Sequence, residues 1–463
     1  MTSIDTKHYF VCGIGGSGML PLAIILRGMG HRVSGSDRSY DQGRTPEKFA
    51  WMKSQGIELF AQDGSGITDD IDAVLISKAV EDTVPDIIAA KQKQVPIRLR
   101  VDMLVELFNA AKTRIAVAGT SGKTTTTGMT AYLLREAGHD PTVMNGGIFK
   151  NYMAQNPYST AFVGRGDIFL TEMDESDGID HVMRYTPDIS VIHNITLDHQ
   201  PMEELRAMFG GFLSKTHTAV LNADDDVVME VARDFKGTKI TYSMAGHAAD
   251  LCAKDITPQK DGITATITGF GQHITLSLKV PGRHNVSNAL AALCAAHAAG
   301  MDLKKATNTL GGFTGIKRRM DVVGHRGGVV VMDDFAHNPD KIAATLGTLK
   351  EFSGRLHIFF QPHGYGFLKV VGKELAESFA QHLGAEDRLY LVEPFYAGGT
   401  VDRSIGSQNV ADDIVAMGKH ARVMLGRDEV RAAILADLKD SDRIIIMGAR
   451  DDTLSDFAKS FLL

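Results

Sequence analysis

The stretch Ile115-Ala116-Val117-Ala118-Gly119-Thr120-Ser121-Gly122-Lys123-Thr124-Thr125 has the residue types and spacing that a nucleoside triphosphate needs. Its glycines free backbone N–H groups to wrap phosphates, Lys123 can reach the β and γ oxygens, and the Thr124 hydroxyl can ligate Mg²⁺. The full phosphate-loop pattern asks for a glycine where Val117 stands, so the match is to a shortened form, Gly-Thr-x-Gly-Lys-Thr. A second glycine-rich run, Gly13-Ile14-Gly15-Gly16-Ser17-Gly18, is followed by Asp37 in the manner of a dinucleotide fingerprint. By itself that run suits the diphosphate of NAD, FAD or a UDP-sugar equally, and a tight turn without a ligand would read the same way.

Other clusters carry weaker chemistry. Glu172-Met173-Asp174-Glu175-Ser176-Asp177 could share a Mg²⁺ ion with Thr124 and phosphate oxygens, or form a solvated acidic loop. His199, beside Asp198, suits a second divalent ion, a phosphoryl oxygen or an ordinary structural hydrogen bond. Asn285 and Asn288, one helical turn apart, could read an adenine edge or cap the apolar helix that follows. Lys317-Arg318-Arg319 offers charge to a γ-phosphate, or is a basic linker. Asp333 to Pro339 and Gln361 to Tyr365 place polar groups just past strands, where open parallel sheets collect ligands.

These loops need elements to hold them, and the hydrophobic patterning supplies an α/β chain in three parts. In the first, strands are expected over His8–Gly13, His31–Ser36 and Ala73–Ser77, with helices over Gly18–Met29, Asp86–Gln94 and Asp102–Ala111. The second carries the strand into the phosphate loop, a helix over Thr126–Ala137, strands over Ile168–Glu172 and Ile189–Ile195, and an apolar helix over Val286–Ala299. Residues 238–280 alternate apolar and polar, which predicts antiparallel strands with one wet face. Gly311–Gly315 reads as a hinge or linker. The third part alternates strands (Val329–Met332, His357–Phe360, Arg388–Leu391, Arg443–Met447) with helices (Lys341–Lys350, Lys373–His382, Glu429–Leu438), as a second parallel α/β domain does.

Composition agrees with a multidomain cytoplasmic enzyme. A chain of 463 residues suggests about three domains. With 44% hydrophobic and 23% charged residues it can build proper cores, and a net charge of −7 gives no reason to expect nucleic acid. Cys12, Cys252 and Cys294 are scattered and odd in number, which predicts buried reduced thiols. No signal-like segment opens the sequence and no apolar run is long enough to span a bilayer, so no membrane insertion is expected.

Taken in order, Gly119 to Thr125, Glu172-x-Asp174-Glu175-Ser176-Asp177, Asn194-Ile195-x-x-Asp198-His199, Gly282-x-His284-Asn285-x-x-Asn288-Ala289, Lys317-Arg318-Arg319 and Asp333 to Pro339 resemble the Mur ligase superfamily. Those are ATP-dependent amide-forming enzymes that build the peptide stem of bacterial cell walls. The resemblance covers essentially the whole chain. It implies an N-terminal Rossmann-like UDP-sugar domain (1–111), a central P-loop ATPase domain with a mixed sheet (112–322) and a C-terminal Rossmann-like amino-acid domain (323–463).

Carried over residue by residue, the resemblance puts Gly15, Gly16, Ser17 and Gly18 at the UDP diphosphate, with Asp37 and Ser77 nearby. Gly119, Thr120, Ser121, Gly122, Lys123, Thr124 and Thr125 would surround ATP, and Thr124, Glu172 and His199 would hold Mg²⁺. Glu172 would also assist amine deprotonation. Asn285 and Asn288 would contact adenine, Arg319 the γ-phosphate and Asp334 the ribose, with His337 near the join of the second and third domains. Lys123, Glu172, His199, Arg319 and His337 make up the implied catalytic set. A carboxylate would be phosphorylated to an acyl phosphate, which an amine then captures. Within the superfamily, Gly13–Met19 and Val33–Asp37 resemble the branch that joins L-alanine to UDP-N-acetylmuramate and its murein-tripeptide-recycling relative, acting as monomer or homodimer.

The departures from that branch concern the amine. The branch carries His where Ser121 stands, Tyr-Gly-His-His-Pro in place of Phe335-Ala336-His337-Asn338-Pro339, and Pro-His-Arg-Tyr-x-Arg in place of Pro362-His363-Gly364-Tyr365-Gly366-Phe367. Both arginines, which help hold the incoming carboxylate, are thus replaced, a costly loss unless another cation serves. The position of a carbamylated lysine used by some branches falls near Phe209, so this chain lacks it. A sister ligase with another amine or acceptor is therefore the second expectation, and a catalytically weak nucleotide-binding regulator a third. An NAD-dependent oxidoreductase leaves the phosphate loop unexplained.

Overall fold

A computed structural model describes residues 6–196, 201–259, 262–396, 402–449, 451 and 453–463. The chain is α/β with three sheets, and it divides into two compact units. One comprises Met1–Ile256, Thr264–Leu278 and Asn285–Thr314; the other comprises Thr257–Ile263, Lys279–His284 and Gly315–Leu463.

The first unit holds two sheets. The N-terminal one has five parallel strands in the order Glu58–Phe60, Arg32–Ser36, His8–Cys12, Ala73–Ile76, Ile97–Leu99. Strand order reverses between His8–Cys12 and Ala73–Ile76, which opens a crevice at the carboxyl ends, and the glycine run Gly13–Gly18 follows the first of these strands. The second sheet has ten strands, with Thr113–Ala118 between Ile189–Ile192 and Ile168–Glu172, all three parallel. These are short runs of buried Ile, Val, Ala and Leu, as a sheet covered on both faces requires. The helix Arg100–Asn109 seats the two sheets together. Its Phe108 ring packs edge-on against Phe169 and Tyr185, at 5.9 and 5.3 Å between centroids, all three side chains being buried.

The second unit is a six-stranded sheet in the order Asp321–Arg326, Val329–Asp334, Arg443–Gly448, Leu356–Gln361, Arg388–Leu391, Ala421–Val423. Its core is made by Ile358, Phe360, Leu375, Phe379 and Ile445 on one face and by Phe359, Ile444, Ile446, Phe457 and Phe461 on the other.

Several expectations change. The strand Thr238–Ser243 runs parallel to its neighbours Thr218–Asn222 and Leu251–Gln259, so the antiparallel reading of 238–280 fails at its start. The alternation it rested on marks a half-covered face, which either pairing can have. Farther on, Gly262–Gly269 and Gln272–Leu278 meet at Phe270 and Gly271, whose φ of +47° and +73° fit a two-residue hairpin turn. The third sheet is not wholly parallel, since Asp321–Arg326 pairs antiparallel with Val329–Asp334. The helix expected to begin at Lys373 spans Tyr365–His382, its first turns disguised by Gly366 and Gly372. Gly311–Thr314 is pinned rather than loose: Phe313 is buried, Asn151 donates to the Gly312 carbonyl at 2.9 Å, and Thr314 donates to Asn151 Oδ1. Cys12 and Cys294 are buried free thiols as expected, whereas Cys252 is only half-buried. Phe209 lies fully buried in the helix Met202–Leu213, a core position unsuited to a modified lysine.

Candidate functional site

The strand Thr113–Ala118 ends in Gly119-Thr120-Ser121-Gly122, and the helix Lys123–Glu136 begins at once. Gly119 and Gly122 have φ of +128° and +83°, so neither tolerates a side chain without strain. A Cβ on Gly122 would stand 2.5 Å from His193 Cδ2 and 2.6 Å from Asn288 Oδ1. Asn194, just past Ile189–Ile192, straps the loop from beside it. Its Oδ1 accepts from Ser121 N–H at 2.8 Å and from the Thr120 hydroxyl at 2.9 Å, and its carbonyl accepts from Thr120 N–H.

Lys123 and the acidic run meet at this loop. Lys123 Nζ donates to the Gly119 carbonyl at 2.7 Å and to Glu175 Oε2 at 2.6 Å, where Glu175 is 2% exposed. Burial alone would lower the Lys123 pKa, but the carboxylates of Glu175, Asp174 and Glu172 together outweigh it, so the pKa is raised and the ammonium is held charged. Burial likewise pushes Glu175 up, against the pull of Lys123. The Thr124 hydroxyl donates to Glu172 Oε2 at 2.8 Å, so the two expected metal ligands are adjacent. Gly146 makes room for that carboxylate, because a Cβ there would stand 2.1 Å from Glu172 Oε1. Among the described residues no trio of His, Cys, Asp or Glu could hold a metal ion. One carboxylate and one hydroxyl, completed by phosphate oxygens, is the donor set that suits Mg²⁺. His199, the third expected ligand, lies outside the described residues.

Asn285 and Asn288 lie within the helix Arg283–Ala298, both buried, so they are not its caps. Asn288 Nδ2 donates to Asn285 Oδ1 at 2.9 Å, and Asn288 Oδ1 accepts from Thr126. The pair thus braces the first turn of the phosphate-loop helix.

The N-terminal glycine run is held by Asp37, whose Oδ2 accepts from Gly15 N–H at 2.8 Å while Oδ1 accepts from Ser39 N–H. Gly16 N–H bonds the Gly13 carbonyl, and Gly18 caps the helix Met19–Gly28. Ser77 follows the strand Ala73–Ile76 on the far side of the crevice.

In the second unit the basic triplet divides. Arg318 is consumed structurally: it pairs with buried Asp333 at 3.3 Å and donates to the Gly448 carbonyl at 2.6 Å. Arg319 stands 4.9 Å from the Phe335 ring centroid, and Lys317 has its pKa lowered by burial. Asp334 is turned inward. It accepts from Ala336 N–H, the Thr345 hydroxyl and Met320 N–H, and so braces the loop that follows its strand. Loss of hydration, aided by Lys341, His363 and Arg319, pushes His337 down to about 2. The ring is neutral. Its Nδ1–H donates to the Phe335 carbonyl at 2.9 Å, which leaves Nε2 as an acceptor and not an acid.

Sequence reasoning missed Asn194 as the strap of the phosphate loop and Glu175 as the specific partner of Lys123. Their types were visible, but their roles depend on contacts between residues far apart in sequence. Arg403, 4.0 Å from the Tyr396 ring and 5.7 Å from the Tyr365 ring, is a cation beside the segment that lost its arginines.

Comparison with known proteins extends these observations. Residues 8–112 match the Mur ligase family catalytic domain, 117–296 the Mur ligase middle domain and 318–450 the Mur ligase glutamate ligase domain. The UDP-N-acetylmuramate–L-alanine ligase of Endomicrobium trichonymphae is 31% identical over 458 residues, with 97% of each chain covered. That of Nitrosomonas europaea is 33% identical, with 96% of this chain and 94% of its own covered. Among solved structures, the UDP-N-acetylmuramate–alanine ligase of Thermotoga maritima superposes with a TM-score of 0.80 at 27% identity, 98% of each chain being covered. A murein peptide ligase from Psychrobacter arcticus shares the fold, with a TM-score of 0.74 at 24% identity and 98% coverage of both chains. Family models that match all three segments, and relatives above 30% identity over nearly the whole length, lead to one conclusion: the chain belongs to the Mur ligase family.

Proposed function

We propose that this protein is an ATP-dependent acid–amino-acid ligase that joins an amino acid, L-alanine foremost, to the carboxylate of UDP-N-acetylmuramate in peptidoglycan precursor synthesis. The observation that carries the reading is the presence in one unit of two separate phosphate-binding loops, Gly13–Gly18 and Gly119–Gly122, the second with Lys123, Thr124 and Glu172 grouped at its mouth. Relatives named for this activity match over nearly their full length. We assign 1–111 to the UDP-sugar, 112–322 to ATP and 323–463 to the amino acid, and place the reaction in the cytoplasm.

A carboxylate oxygen of the acceptor attacks the γ-phosphorus, and the bond to ADP breaks. The amine nitrogen then attacks the carbonyl carbon of the acyl phosphate, phosphate leaves, and the nitrogen gives up its proton. Lys123 neutralises charge on the transferred phosphoryl group, and Arg319 is suited to the same task. Glu172 is suited to accept the amine proton. Mg²⁺ held by Thr124, Glu172 and His199 would supply further charge neutralisation.

Phosphate release with ATP, UDP-N-acetylmuramate and a panel of amino acids tests this. Turnover is expected only when acceptor and amine are both present, with L-alanine preferred. No turnover with any amine, or consumption of NADH, defeats it. The second reading, a different amine, is favoured by one observation: the His363 and Phe367 rings pack 4.0 Å apart where the L-alanine branch carries an arginine. Under that reading another amine gives the larger kcat/KM. Under either, Arg403→Ala should raise the amine KM while leaving the ATP KM alone.

A further inference from the structure

The N-terminal glycine run presents donors that its own turn does not use. Gly15 N–H goes to Asp37, Gly16 N–H to the Gly13 carbonyl, and Met19 and Leu20 N–H to the Gly16 carbonyl. Among the described residues, the N–H groups of Ser17 and Gly18 make no hydrogen bond. The helix they open, Met19–Gly28, has no side-chain cap and no acid in its first turn, so its positive end is unanswered.

Arg100 lies against this point from the start of the helix Arg100–Asn109. A Cβ placed on Gly18 would stand 3.2 Å from Arg100 Cδ and 3.3 Å from Nε. Only Nη2 is engaged, by both Asp177 oxygens at 2.6 and 2.7 Å, and the two side chains are 13% and 12% exposed. Nε and Nη1 make no hydrogen bond among the described residues. A guanidinium so withdrawn from water, with the donors on Nε and Nη1 unspent, is costly unless an anion takes them. One carboxylate fixes one edge of the fork, and the other edge stands beside two unspent backbone donors.

We propose that Arg100 is a ligand of the acceptor's diphosphate, and that Asp177 is the positioning residue that holds its guanidinium over the Ser17–Gly18 turn. The inference rests on the reading of Gly13–Gly18 as the UDP-sugar loop. It assigns Asp177, within the acidic run, to the acceptor rather than to ATP.

Calorimetric titration of UDP-N-acetylmuramate and, separately, of a non-hydrolysable ATP analogue into wild-type, Arg100→Gln, Arg100→Lys and Asp177→Asn protein decides the matter. Arg100→Gln should weaken UDP-sugar binding by about tenfold or more, with analogue affinity held within about twofold. Arg100→Lys should recover part of the loss, because it restores the charge without the fork. A folded Arg100→Gln protein that is less heat-stable but binds UDP-sugar like wild type would overturn the proposal and leave Arg100 as a tie between the two sheets. If Arg100→Gln does not fold, Asp177→Asn decides: weaker UDP-sugar binding supports the proposal, and unchanged binding overturns it. Wild-type protein that binds the analogue but gives no heat with UDP-sugar would defeat the underlying reading together with this one.

Discussion

Lys123 Nζ and Glu175 Oε2 lie 2.6 Å apart, which makes the ammonium meant for phosphate oxygens one half of a buried ion pair. Removing one member of such a pair is worth about 3–5 kcal/mol of destabilisation, because the other charge is left buried and alone. Glu175→Gln should therefore lower the thermal midpoint of the free protein. A non-hydrolysable ATP analogue with Mg²⁺ returns a negative partner to Lys123, so it should raise that midpoint by more in Glu175→Gln than in wild type. Equal shifts in the two proteins would show that Glu175 is not in competition with the triphosphate.

Thr124 Oγ1 and Glu172 Oε2, 2.8 Å apart, are taken to hold one ion. Thr124→Ala and Glu172→Gln should each raise the Mg²⁺ concentration for half-maximal turnover by about tenfold. The double variant should lose less than the product of the single losses, because both changes act on the same ion. Chelation should stop turnover and spare UDP-sugar binding. Fully multiplicative losses would separate the two ligands.

Gly122→Ala asks whether the loop's shape is what binds. Alanine at φ +83° costs about 1–2 kcal/mol before any clash, and its Cβ would press on His193 Cδ2 at 2.5 Å. Loss of ATP-analogue binding is expected, with UDP-sugar affinity retained. Analogue binding at wild-type strength would refute the loop assignment.

Acid should weaken the fold through two buried histidines. Burial holds the folded pKa of His337 at about 2 and that of His284 at about 4, both below the ordinary value near 6.5. Below about pH 6.5 the unfolded chain takes up protons that the folded one refuses, and each group then removes up to about 1.4 kcal/mol per pH unit. That loss ends at the folded pKa and is absent above about pH 7. Urea midpoints at pH 7.5 and 5.5 should therefore differ less in His337→Gln than in wild type. An identical difference would place the His337 pKa near its ordinary value.

What could be read along the chain was whatever one segment decides alone. The phosphate loop, the first glycine run and the strands Ile168–Glu172 and Arg388–Leu391 were legible because turn chemistry and apolar runs are local. The direction of Thr238–Ser243 and of Asp321–Arg326 was not, since pairing depends on a partner strand elsewhere. The acidic run shows the boundary within six residues: its four acids stand in the sequence, but nothing there says that Glu175 goes to Lys123, Asp177 to Arg100 and Glu172 to Thr124.

The sequence by itself determined that this chain carries two glycine-rich turns, each set between a strand and a helix, and that it belongs among α/β ligases, because turn chemistry and apolar runs are decided within one segment. Tertiary structure alone decided which charges are spent and which remain available. Arg318 is spent inside its own sheet, Asp334 inside its own loop, and Arg100 keeps its Nε and Nη1 donors beside Gly18. The physical reason is that an ionic group's role is fixed by its partners and its hydration, and both are set by residues that meet only when the chain has folded.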